Sequence, residues 1–112
     1  MSKLYICVQE DVPDFITPTL VAHAVLRHHL NHESLPDIYL RCYLDWLDNS
    51  FKKCVVRMNA KEFAKVRDLE GTVESWENKT LNGDVSCVTI VPLSPIPNVL
   101  KFAKLWSPKE SV

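Results

Sequence analysis

Any chemistry in this sequence has to come from a few polar side chains set among apolar ones. His28, His29 and His32 are the densest group, and on a helix His28 and His32 stand one turn apart on one face. That spacing suits a divalent metal, but the helical metalloprotease motif also needs a glutamate directly after the first histidine, where His29 stands here. The ordinary alternative is a set of solvated imidazoles at a helix C-terminus, where the charged form suits the dipole. No metal site is therefore expected, nor any cofactor. His23 differs, because Ala22 and Ala24 flank it in an apolar stretch. Such a histidine is more often a core residue with a backbone hydrogen bond than a catalyst. No Gly-x-Ser-x-Gly elbow occurs, so nothing in the sequence spells a nucleophilic triad. Lys52, Lys53, Lys61, Lys65, Lys79, Lys101 and Lys104 are dispersed among acids and read as solvated charges.

Cys7, Cys42, Cys54 and Cys87 are widely spaced in apolar segments, without a C-x-x-C pair. They read as buried free thiols in a reducing compartment, with neither a zinc knuckle nor a redox motif. The 112 residues are one domain's worth, and the composition, 46% hydrophobic and 24% charged, is that of a globular protein. A net charge of −1 removes the global basic field of a dedicated nucleic-acid binder, so an anionic partner needs a local patch. The apolar run at the N-terminus is too short for a signal peptide, and no stretch approaches the ~20 apolar residues of a membrane span. The expected location is the cytoplasm, away from membranes.

The elements that must position these residues follow from periodicity. Lys3 to Gln9 is apolar on both faces, as a central strand is. Thr17-Pro18 signals a helix start, and the helix to His32 is apolar in its first half and polar at its end, so only that first half is expected to be buried. Ser34-Leu35-Pro36-Asp37 suggests a capping box for a second helix to about Asn49, with Arg41, Asp45 and Asp48 on its wet stripe. Lys52 to Met58 is a second strand. Asn59 to Glu62 is another capping box, opening a short helix that Gly71 terminates. A weak strand over 72–77, the Asn82-Gly83 hairpin signal and the buried strand Val85 to Val91 follow. Three prolines then break the chain before a last helix over 98–105. The order β-α-α-β-α-β-β-α implies a mixed, mostly parallel four-stranded sheet with helices on both faces, in a single α/β domain.

These pieces resemble the type 2 peptidyl-tRNA hydrolases, the class of archaea and eukaryotes, over nearly the whole chain. Val8-Gln9-Glu10-Asp11-Val12 is similar to that family's strand end Val-Arg-x-Asp-Leu. Thr19-Leu20-Val21-Ala22-His23-Ala24 is similar to its helix motif Ala-Gln-x-x-His-Ala. Trp46, the strand Lys53-Cys54-Val55-Val56 and the spacing from Gly83 to Pro92 match further landmarks. The departures are as specific. Ile16 takes the place of the family's essential lysine, Leu20 replaces its glutamine, and Ser86 replaces a later threonine. Glu77-Asn78-Lys79-Thr80 is what remains of an Asp-x-Gly-x-Thr stretch. Isoleucine cannot polarise an ester or hold a tRNA end by charge.

The resemblance implies an inherited fold with a dismantled hydrolytic site, in a divergent small member of the kind that phages encode. Two functions follow as expectations. One is a non-catalytic binding module for a nucleotide, an RNA end or a protein, with nucleotide sequestration against a host defence as one form and a homodimer as one assembly. The other is a working hydrolase of the peptide–tRNA ester that uses His23, Asp11 and Thr80, with its cation from Lys79 or Lys53. In open α/β sheets ligands bind beyond the carboxyl ends of parallel strands, where helix N-termini also point. The ligand-binding residues expected there are Thr17, Thr19, His23, Lys79, Thr80 and Ser86, with the carboxylates of Glu10, Asp11 and Asp14 opposing a phosphate unless they point away.

Overall fold

A computed structural model describes residues 2–77 and 81–109. Its elements are β1 (Leu4–Gln9), α1 (Thr17–Asn31), α2 (Asp37–Asp45), β2 (Lys53–Met58), α3 (Ala60–Arg67), β3 (Val73–Trp76), β4 (Val85–Ile90), α4 (Asn98–Lys101) and β5 (Lys104–Leu105). The strands form one sheet in the order β3-β4-β1-β2-β5. β1 lies at its centre, as its two apolar faces require. It runs parallel to β2, with Leu4 opposite Lys53 and Gln9 opposite Met58. It runs antiparallel to β4, with Tyr5 opposite Ile90 and Val8 opposite Cys87.

The α/β class and the order of the first eight elements agree with the pattern in the sequence, but two features correct it. The sheet has five strands, because the expected C-terminal helix stops at Lys101 and the chain returns as β5 on the edge of β2. It is also mostly antiparallel, since β3–β4 and β2–β5 join β1–β4 in that sense and only β1–β2 is parallel. Parallel pairing needs a crossover, and only the α1–α2 connection supplies one that returns beside β1.

Side-chain alternation divides the core. Leu4, Ile6, Val8 and Cys87 pack under α1 and α2 with Leu20, Ala24, Tyr43 and Trp46. Tyr5, Cys7, Val56, Met58, Val88 and Ile90 pack on the opposite face with Phe63 and Val66 of α3 and Leu100 of α4. Helices therefore cover both faces.

Local signals were followed unevenly. The Asn59 capping box forms in full, with the Glu62 amide donating to Asn59 Oδ1 at 2.9 Å and the Asn59 amide to Glu62 Oε1 at 3.0 Å. The box proposed at Ser34 does not form, because α2 starts after Pro36 with no side-chain cap. Past Asp45 the second helix continues as a π-helical turn, Trp46–Ser50. Gly71 sits at φ +81°, where a Cβ would come within 2.2 Å of the Tyr39 ring, so glycine meets both the backbone angle and the close approach. Among the described residues no helix is long and apolar enough to cross a membrane.

Candidate functional site

A cleft of about 480 Å³ opens beyond the carboxyl end of β1, beside the first turns of α1. Its described walls are Asp11, Pro13, Phe15, Ile16, Thr19, Leu20, His23, Glu77 and Leu81. The chain after β1 makes a 3-10 turn, Asp14–Ile16, before α1 begins, and this turn lifts Phe15 to 86% exposure. Helical spacing then turns Thr19 and His23, one turn apart, toward the same space.

Asp11, Thr19 and His23 thus come together at the expected mouth, and all three are exposed. No described hydrogen bond joins Asp11 to His23; the Asp11 amide donates to Gln9 Oε1 at 2.6 Å. His23 is no core residue, since the helix turns its side chain to solvent. Thr17 is buried, and its hydroxyl donates to the Pro13 carbonyl at 2.9 Å, closing the 3-10 turn rather than facing a ligand. Ser86 is also buried, and its hydroxyl donates to the Ser75 carbonyl at 3.3 Å. It shares its strand face with Val88 and Ile90, on the α3 side of the sheet, so it does not reach this cleft. Lys79 and Thr80 lie outside the described residues.

The cleft carries two carboxylates, Asp11 and Glu77, and no lysine or arginine among its described walls. Asp14 does point away. Its carboxylate pairs with Arg57 at 3.3 Å and accepts from the Lys109 amide. Lys53 starts β2 opposite Leu4, at the other end of the parallel pair, so it supplies no charge at this mouth. Ile16 lines the cleft itself and adds hydrocarbon to its wall.

The remaining polar groups have other tasks. His28 is 1% exposed, with Nδ1 2.8 Å from the Thr89 hydroxyl and its ring 4.9 Å from that of Tyr43. Burial, helped by the charge of His32, lowers its pKa from 6.5 to about 4. The expectation of a solvated C-terminal half for α1 holds around it and fails at His28 itself, which extends the buried line of Thr17, Leu20 and Ala24 at helical spacing. Thr89 faces it from β4, and sequence reasoning missed this pair. His29 Nδ1 bonds the Tyr43 hydroxyl at 2.9 Å, and His32 Nδ1 bonds the His29 carbonyl. Among the described residues no three potential ligands gather to hold a metal. Cys7 and Cys87 are buried while Cys42 and Cys54 are half-buried. Burial pushes the Cys87 thiol up to about 12 and raises Cys7 further, which leaves both unreactive.

No protein-family model matches the chain, and no curated protein matches it significantly. The site is therefore read from its own geometry.

Proposed function

We propose that this chain is a small binding module on a scaffold like that of the type 2 peptidyl-tRNA hydrolases, taking a nucleotide or RNA end in the cleft beyond β1 without hydrolysing it. The observation that carries this reading is that Ile16, which the resemblance sets in the place of that family's lysine, lines the cleft. A transferring acyl group develops negative charge on its carbonyl oxygen, and stabilising that charge is commonly the largest catalytic contribution. Hydrocarbon at that point supplies none. What remains suits recognition: the exposed Phe15 ring offers a stacking surface, and Asp11 accepts from amino and imino donors on a base edge.

Titration with mono-, di- and cyclic nucleotides, followed by amide chemical shifts, tests the reading. Saturable shifts confined to residues 11–23 and 77–86 are expected. Shifts confined instead to the exposed face Arg41–Asp48 would overturn it in favour of a protein partner. Release of peptide from peptidyl-tRNA, abolished by His23→Ala, would establish the hydrolase reading in its place.

A further inference from the structure

A second cleft lies on the other side of α1, near the amino end of the parallel strand pair, and nothing in the proposed function uses it. It measures about 610 Å³ and is walled by hydrocarbon and aromatic surface, chiefly Val21, Val25, Leu26, Trp46, Leu47 and Phe51. Only one of its lining residues carries a full charge, Lys53. The ammonium of Lys53 is fixed there: it donates to the Phe51 carbonyl at 2.8 Å and sits 3.5 Å from the centroid of the Phe51 ring and 5.5 Å from that of Trp46. An ammonium offers three donors, so this arrangement leaves capacity for an incoming anion. His29 lines the cleft as well, and its Nδ1 bond to Tyr43 leaves Nε2 for a ligand.

Backbone geometry at the mouth is unusual for the sequence. The π-helical turn Trp46–Ser50 closes through the Phe51 amide donating to the Trp46 carbonyl at 2.7 Å. It leaves Phe51 at φ +60°, a left-handed conformation that a bulky residue adopts only at a cost. π-Turns of this kind occur frequently at functional sites. The outcome is a Phe51 ring stacked on Trp46 at 5.3 Å yet 56% exposed, with Leu26 of α1 57% exposed across from it. Strained backbone here holds apolar surface open to solvent, the reverse of what folding alone favours.

From these features we infer that the second cleft binds a single-chain amphiphile with an anionic head, such as a medium-chain carboxylate. The chain lies along α1 against Val21, Val25 and Leu26, and the head pairs with Lys53. A pocket of this size, mainly apolar with a few fixed polar groups, is the usual form of a small-molecule site. Charge complementarity selects the anion: a neutral head leaves the ammonium without a counter-charge, and a cationic head is repelled by it.

The test uses dodecanoate below its micellar concentration, followed by amide and Trp46 indole shifts. Saturable one-to-one binding is expected, with shifts confined to residues 21–29 and 46–55. Dodecanol and dodecyltrimethylammonium are expected to bind about tenfold or more weakly, and Lys53→Glu to reverse the preference between the two charged probes. Lys53 is exposed, so this substitution leaves the fold intact, as circular dichroism checks. Equal affinity for all three probes, or shifts spread to Phe102 and Leu105 at the far edge, would overturn the inference. So would concentration-dependent dimerisation that buries Leu26 and Phe51, which would make a second copy the occupant. The nucleotide titration above reads the other cleft, so either result can fail without the other.

Discussion

The two clefts that flank α1 share a helix and differ in almost everything else. The cleft beyond β1 is made largely from side chains that the fold does not need: Phe15, Thr19 and His23 are exposed, and Leu20 is the core residue among its walls. The apolar cleft is cut into the core, and its wall residues Tyr43 and Trp46 are almost fully buried. Helical periodicity makes the division, since Thr19 and His23 point one way while Val21 and Val25 point another. α1 is thus apolar on its buried line and again beside the second cleft. A helix apolar on more than one side is ordinarily buried on more than one side. The contrast teaches that the first cleft's exposed wall can change without touching the core, whereas the Tyr43 and Trp46 wall of the second cannot.

The largest expected effect separates the clefts directly. Trp46→Ala removes a ring that packs on Tyr43 and Phe51 and an indole N–H that donates to the Lys52 carbonyl at 2.6 Å. Truncating a buried aromatic of this size costs about 3–5 kcal/mol. Urea unfolding of the variant is expected to show a loss in that range. A loss below about 1 kcal/mol would mean that the apolar cleft is not part of the core, and the contrast would fail.

His28 sharpens the comparison through pH. Its folded pKa of about 4 lies below the 6.5 of an unfolded histidine because burial disfavours the imidazolium. The unfolded chain therefore takes up a proton first as pH falls. The stabilising contribution is complete above pH 6.5 and is lost as pH drops from 6.5 toward 4, by up to about 3 kcal/mol. Stability measured by urea unfolding across that interval should fall with this slope, and His28→Gln should remove the slope while lowering stability at neutral pH. The same experiment on His23→Gln is expected to leave the slope in place.

These two histidines also mark what the sequence made legible. Neighbouring alanines suggested a core position for His23 and the polar cluster suggested a wet one for His28, yet the structure reverses both. Composition around a residue is a weaker guide than phase on the helix: the line Thr17, Leu20, Ala24, His28 has the spacing of a buried stripe. β1, the Asn59 cap and the Gly71 stop were legible because each rests on local chemistry. Asp11, Thr19 and His23 do line one cleft beyond β1, a position expected from the carboxyl end of a parallel strand and not from local chemistry. Ser86 was not legible, because strand parity decides its face. β5 was not either, because pairing with β2 across most of the chain has no local signature. Nothing in the spacing of Trp46 to Phe51 announces a π-turn.

A smaller effect links stability to the apolar cleft alone. Gly71→Ala places a methyl group where the Tyr39 ring stands and holds alanine at a φ of +81°. The left-handed angle and the displaced ring together cost about 2 kcal/mol. Tyr39 belongs to α2, which also carries Tyr43, so the push is transmitted to the wall of the apolar cleft. Thermal melting should register the loss, and dodecanoate binding should weaken while nucleotide-induced shifts are unchanged. Equal weakening of both would show that the clefts are mechanically coupled through α1.

The smallest effect on stability is the most telling for function. His23 is exposed, has no described hydrogen bond and lies off the buried line of α1, so His23→Ala is expected to change stability by no more than about 0.5 kcal/mol. Asp11→Asn removes one negative charge from the same cleft and should be equally neutral for the fold. Their effects on binding should diverge. Loss of the imidazole removes a contact surface and weakens any ligand of the cleft. Loss of the carboxylate weakens a base held through its donors, but strengthens a ligand held through phosphate by relieving repulsion. Measuring one nucleotide against both variants therefore identifies which end of the ligand enters. A destabilisation by His23→Ala above about 1 kcal/mol would instead assign the histidine a structural role and remove the central member of the site.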